Sequence, residues 1–206
     1  TIYTSGPKLE GYKPLWKGTI EVGTPAEVDA ALDRLQAMKV DFVKITDNTL
    51  KPDIFAYALK AAKERGLKTS AHTPFAFTIV QAARAGLSSV EHLDYLIKAR
   101  SPQEASIGAD YVAGKLSYGD ASDRFVETFD PGHAKATYAR LAKLGLYVTP
   151  TLNMSRILAY LDREDHRNDA ALAYIGPGLR KTYEWRVERA AKSTPEQVAA
   201  RHREYE

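Results

Sequence analysis

Residues 62–72 read Ala-Lys-Glu-Arg-Gly-Leu-Lys-Thr-Ser-Ala-His: the end of a helix, a glycine, a short strand and a histidine. The same order returns in Ala82-Ala83-Arg84-Ala85-Gly86-Leu87 and in Leu141-Ala142-Lys143-Leu144-Gly145-Leu146. Each helix closes on a glycine, which takes the left-handed cap conformation cheaply, and each strand is entered through leucine. Short connections between helix and strand, repeated in one direction, predict parallel strands with helical crossovers. A doubly wound sheet and a closed barrel both satisfy that pattern.

Outward from this repeat, Thr24-Pro25-Ala26-Glu27 is a capping sequence with proline at the first helical position. It predicts a helix from Pro25 to about Met38, with Val28, Ala31, Leu32, Leu35 and Met38 as its apolar stripe. Val40 to Ile45 is β-branched and aromatic enough for a buried strand. Helices are then predicted over Pro52–Arg65, Phe77–Ala85 and His133–Leu144, and strands over Leu67–His72, Ser88–His92 and Tyr147–Leu152. Ile97 to Phe129 interrupts the rhythm; Ser101-Pro102-Gln103-Glu104 reads as a second capping box, so a helical insertion over about 97–132 is expected. From Arg156 onward the chain is rich in charge, Ala, Tyr and Arg, and Thr194-Pro195-Glu196-Gln197 starts a last helix. We expect 156–206 to be helical and to continue the same domain as 1–155, as a lid or as ordinary surface helices.

The bulk composition narrows the function. Of 206 residues, 44% are hydrophobic and 27% charged, which is ordinary for a folded soluble domain. The 29 basic residues are interleaved with 26 acidic ones for a net charge of +3, so nucleic acid is a poor partner. No apolar run reaches the roughly 18 residues of a membrane helix. With no cysteine, thiolate ligands are excluded, and only histidine, carboxylate or a modified lysine remains for a metal.

In open parallel sheets and barrels, ligands sit beyond the carboxyl ends of the strands. Lys44, His72 and His92 fall at three successive strand ends. A lone strand-end histidine is usually structural, and a lysine there can snorkel to solvent. Two imidazoles and a lysine on one rim are harder to ascribe to packing. Tyr95 and Arg100 follow His92, and Asn153 follows the last strand; these three are candidate substrate contacts, a guanidinium being suited to a carboxylate. Asp47 and Asn48 read as turn formers. Glu91 and Asp94 flank His92, but strand alternation points them to other faces. His133, His166 and His202 have no ligand-like neighbours in sequence and are expected at the surface.

Val40-Asp41-Phe42-Val43-Lys44-Ile45, Thr69-Ser70-Ala71-His72 and Ser89-Val90-Glu91-His92-Leu93-Asp94-Tyr95 resemble strands four, five and six of the amidohydrolase superfamily, in its imidazolonepropionase-like and metal-dependent dipeptidase branch. Val148-Thr149-Pro150-Thr151-Leu152 is similar to strand seven, and Thr1 to Pro7 would be the end of strand three. The resemblance implies a partial TIM-type (β/α)8 barrel of about five parallel strands with crossover helices and helical insertions. It implies that Lys44 is carboxylated and bridges divalent metals, zinc in the family's habit, with His72 and His92 as ligands of one ion. The implied reaction is hydrolysis of an amide-type C–N bond, in a peptide or cyclic amide, by metal-activated water. Partners implied are a small-molecule or peptide substrate, no nucleic acid and no membrane insertion, with self-association open; relatives of this kind lean toward export. The family's His-x-His and Gly-Thr-Asp motifs do not occur in these residues, which is expected of a central fragment. Two other readings stand beside it: a metal-free enzyme using Lys44 as Schiff-base or general-base lysine, and an inactive fragment or binding module.

Overall fold

The computed structural model describes all residues, 1–206, as two compact units, Thr1–Pro150 and Thr151–Glu206. The first holds a single six-stranded, all-parallel sheet: β1 (Leu9–Glu10), β2 (Ile20–Glu21), β3 (Val43–Ile45), β4 (Thr69–Ala71), β5 (Ser89–Glu91) and β6 (Tyr147–Thr149), in the order β2-β1-β3-β4-β5-β6. The crossovers are α1 (Pro25–Ala37), α2 (Pro52–Glu64), α3 (Ile79–Ala85) and α6 (Pro131–Lys143). With α4 (Glu104–Val112), α5 (Tyr118–Glu127) and, in the second unit, α7 (Leu152–Ala159), α8 (Pro177–Ala191) and α9 (Pro195–Tyr205), this is an α/β fold compatible with part of a TIM-type barrel.

The repeat that predicted the crossovers works as expected. Gly66 and Gly145 close their helices at φ 71 and 73, conformations that favour glycine. Register then aligns Leu9 with Ile45, Ile45 with Ala71, and Ala71 with Val90. These four are fully buried and join Leu32, Leu35, Phe55, Leu59 and Ile79 in the main core. One face of the sheet is therefore packed against helices. Alternation sends Glu10, Lys44, Ser70 and Glu91 to the other face.

Several expectations need correction. Residues 1–7 form no strand; the pairing with β3 begins at Leu9. Gly6 turns the chain at φ 59 and Pro7 has no N–H to donate, so a ladder cannot run through them. Thr4 nonetheless meets Asp41, donating to its Oδ2 at 2.8 Å and accepting from its N–H at 2.9 Å. β2 was not predicted at all, because a two-residue strand between Gly18 and Gly23 carries no readable period. The strands are shorter than their apolar runs, and Leu152 opens α7 instead of ending β6, after Thr151 takes a left-handed φ of 47. Met38 is half-exposed as the cap of α1 rather than part of its buried stripe.

The insertion is helical, but not as the capping box implied. Ser101 Oγ accepts from the Gln103 N–H at 3.0 Å and pairs with Thr128 Oγ1 at 2.6 Å, and α4 starts only at Glu104. Glu104 is buried, its Oε1 accepting from the Ile79 N–H at the start of α3 at 2.9 Å. Ile97, Ile107, Ala121 and Phe125 make a second, smaller core there, with Phe75 from the loop after β4 packed against it. A Cβ on Gly108 would fall 2.2 Å from the Phe75 carbonyl oxygen, so helix and loop touch backbone to backbone. The insertion thus braces the loop that follows His72.

In the second unit α9 begins with a complete capping box of Thr194 and Gln197. His202 Nε2 meets Asp162 Oδ1 at 3.0 Å, and the Tyr160 ring lies 4.5 Å from the His202 ring. No helix of either unit is long and apolar enough to cross a membrane.

Candidate metal centre

Lys44 lies in the middle of β3, opposite Ser70 of β4. His72 follows β4 and donates its backbone N–H to Ile45 O at 3.1 Å. His92 follows β5, its N–H bonded to Thr149 O at 2.9 Å. Three neighbouring strands therefore fix the three backbones.

Alternation alone would send His92 to the helix side with Val90. Its backbone instead takes φ 68, ψ 135, a region a side-chain-bearing residue enters at a cost of order 1–3 kcal/mol. The turn brings the His92 ring to 5.0 Å from the His72 ring, centroid to centroid. Glu91 keeps its alternation and faces the same side, with Oε2 3.9 Å from Lys44 Nζ and Oε1 accepting from Ser70 Oγ at 2.7 Å. Adjacent residues reach one site because the backbone between them breaks the strand rule.

The His72 imidazole is the electrostatic centre of the cluster. Burial, then the positive charges of Lys44 and His92, push its pKa down to about 3. Both ring nitrogens are buried without a hydrogen-bond partner; Asp47 Oδ1, at 3.9 Å from Nδ1, is too distant for one. The His92 ring is shifted down as well, by burial and by Lys44. Burial lowers the Lys44 amine to about 8, against the pull of Glu91. A neutral His72 imidazole with both nitrogens orphaned, a second imidazole beside it and an amine that readily loses its proton are what a metal site of nitrogen and carbamate ligands requires. The residues present fit such an ion.

A consequence is measurable without metal. The unfolded chain protonates His72 near pH 6.5, whereas the folded chain does so only near pH 3. In that window the unfolded state binds the extra proton, so stability falls as pH falls. In chelator, urea unfolding is expected to lose up to about 1.4 kcal/mol per pH unit from this group. His72→Asn should flatten the acid limb; an unchanged slope would show that His72 titrates normally.

Asp47 belongs to this site rather than to a solvent turn: it is mostly buried, and burial raises its carboxyl pKa. Tyr95 stacks on the His72 ring at 4.4 Å and 16°, and Thr73 Oγ1 donates to the Tyr95 carbonyl at 3.1 Å. Deeper on the same face, Lys8 Nζ and Thr46 Oγ1 hold buried Glu10 Oε2 at 2.9 and 2.8 Å. The alternation of Lys8 and Glu10 about Leu9 was the available sequence signal, too short to read as a strand. Arg100 is elsewhere in the same unit. Its guanidinium lies 5.1 Å over the Phe129 ring, its Nε is buried without a partner, and it lines a cavity of about 600 Å³ with Leu93, Ile97, Lys135 and Tyr138. Asn153 is exposed on the first turn of α7, in the second unit. His133 Nε2 meets Thr137 Oγ1 at 3.2 Å. His166, expected to lack ligand-like neighbours, has Asp169 Oδ2 3.0 Å and Glu164 Oε1 3.9 Å from Nδ1, the three offering ligand atoms within 4.8 Å of one another. Its partners are local in sequence, but the turn that gathers them is not legible there.

A parallel sheet with helical crossovers and this rim of lysine and histidines defines the class: part of a (β/α) barrel with a candidate metal centre. No protein-family model matches the chain, and no curated protein is similar to it in sequence. Among solved structures, the chain is similar to a bottromycin amidohydrolase, with a TM-score of 0.61 and 18% identity over 98% of this chain and 41% of that one. Others include an A. niger ochratoxinase (TM-score 0.39, 15% identity, 76% of this chain and 49% of that one). A Xaa-Pro dipeptidase is a third (TM-score 0.33, 18% identity, 68% and 40%). At these identities the likeness is one of fold, and it rests on the first of them. This chain spans about two fifths of that protein's length.

Proposed function

We propose that this chain is the metal-binding part of a hydrolase acting on amide-type C–N bonds, with Lys44, His72 and His92 as ligands of one or two divalent ions, zinc by preference. The observation that carries this reading is the His72 ring, buried and held neutral with both nitrogens unpartnered. An apolar-packed structural histidine would hydrogen-bond at least one of them. The likeness to an amidohydrolase supports the reaction class. Because the chain spans only part of that protein's length, the hydrolytic cycle is proposed for the whole protein and the ligand cluster for this chain.

A bound divalent ion would supply carbonyl polarisation and acidify a water to a pKa of about 7. The chain's own residues set the rest. Lys44 presents a free amine at mildly alkaline pH, where an ordinary lysine is almost wholly protonated. Its nitrogen can add to carbon dioxide, forming an N–C bond and releasing one proton to water, to give an anionic carbamate. Glu91, beside Nζ, orients the amine before that step. Tyr95 shields the outer face of His72 from water. Arg100 and its cavity offer a seat for an apolar group that bears a carboxylate.

With ¹³C-bicarbonate, a carbamate carbon signal should grow as pH rises through about 8 and be strengthened by zinc. Lys44→Arg should lack it. No such signal at any pH, with zinc present, would remove the carboxylated lysine from this proposal. The depressed Lys44 pKa also favours a second reading, a metal-free amine catalyst. Borohydride trapping of an aldehyde on Lys44, in protein that binds no zinc, would select it.

A further inference from the structure

The lysine at position 98 is the most deeply buried cation of the first unit, at 1% exposure. It sits on the 3-10 turn Ile97–Arg100, and it forms no ion pair. Its ammonium instead donates to three backbone carbonyls: Thr73 O at 3.2 Å, Pro74 O at 2.6 Å and Phe77 O at 2.7 Å. An ammonium has three N–H donors, and all three are spent on one loop. That loop begins immediately after His72 and ends at Thr78, the cap of α3. Phe75, in its middle, lies with its ring 5.8 Å from Lys98 Nζ. The turn that carries Lys98 follows directly on the turn after His92, and Thr73 Oγ1 bonds the Tyr95 carbonyl between them.

Burying an ammonium with no carboxylate at ion-pair distance is costly; buried Glu104 and Asp47 offset part of that cost from farther away, and an apolar side chain would need neither. What the ammonium adds is direction: three carbonyls, one of which (Pro74 O) also accepts from the Phe77 N–H at 3.1 Å, are gathered on one atom. We infer that Lys98 is a positioning residue, which fixes the loop after His72 to the turn after His92 and so holds the two imidazoles at their mutual distance. The inference rests on the metal-centre reading for its purpose, but the fixing itself is independent of metal.

The test compares Lys98→Met with wild type and with Leu32→Val, a main-core variant on α1 that leaves the ammonium and its loop in place. Hydrogen exchange is read for the five amides of residues 73–78, Pro74 having none, against those of α2, and zinc affinity is read by competition with a chelating dye. In Lys98→Met, amides 73–78 should exchange at least about 10-fold faster relative to α2, and zinc affinity should fall about 10- to 100-fold, as for other residues that orient ligands. Leu32→Val should do neither in that ratio. Lys98→Arg should fail to rescue, since a planar fork cannot address three carbonyls converging on one point. Should Lys98→Met not fold, Lys98→Gln, which keeps two N–H donors, carries the same comparison. Exchange of 73–78 that rises only in step with α2, with zinc affinity unchanged, would overturn the inference. Failure of the wild type to take up zinc would instead sink the metal-centre reading, and the exchange ratio alone would then decide the role of Lys98.

Discussion

Replacing His72 by asparagine is expected to lower zinc affinity by more than about 100-fold, since even partners that only orient a ligand cost about 10- to 100-fold. The change is small in volume and keeps a polar group, so the loop after β4 has no steric reason to move. Lys44→Met should have an effect of the same order, because burial has already prepared the amine to give up its proton and thioether cannot form a carbamate. His92→Asn tests the third ligand and adds a second readout: asparagine tolerates positive φ better than histidine, so metal affinity should drop while stability holds or rises. Zinc titration followed by calorimetry, with unfolding curves in chelator, separates the two quantities. Wild-type affinity retained in all three variants would mean that zinc binds elsewhere, and the Glu164, His166 and Asp169 group would then be the place to look.

The largest loss of stability is expected from Phe55→Ala, at roughly 3–5 kcal/mol. Phe55 on α2 is wholly buried, and its ring lies 5.8 Å from that of Phe77. Phe77 in turn gives its carbonyl to Lys98. The cavity would therefore open beneath both the main core and the loop that follows His72, with few routes to collapse. Urea unfolding monitored by far-ultraviolet dichroism measures the change directly. A loss below about 1 kcal/mol would show that the site relaxes around the deletion and that the two aromatic rings are not a fixed support.

Much of the first unit was legible in the chain. The Gly66, Gly86 and Gly145 junctions announced parallel strands because a left-handed cap and a leucine entry are local, repeated needs of one supersecondary unit. Proline after Thr24, Lys51, Asp130 and Thr194 marked helix starts for equally local reasons. Lys44, His72 and His92 stood out because strand ends are where such folds bind ligands, and each could be placed from its own strand alone. The resemblance to amidohydrolases joined them into one site before any distance was known.

What the sequence could not yield are the features that depend on residues distant in the chain. Glu91 was set aside because alternation opposes it to His92, and only the φ of 68 at His92 puts both on one side. Asp47 read as a turn former and is a buried carboxylate near His72, since its burial comes from elements far along the chain. Glu104 read as half of a capping box and caps α3 instead. Lys98 carried no signal whatever in sequence, because its three carbonyl partners lie more than twenty residues upstream. Hydrogen-bond needs within a turn or two of chain are set by neighbours in sequence, so residue order determined the elements and the candidate ligands. The charge states of those ligands, and the fixings that hold them, follow from burial and long-range contacts, which only the tertiary structure decided.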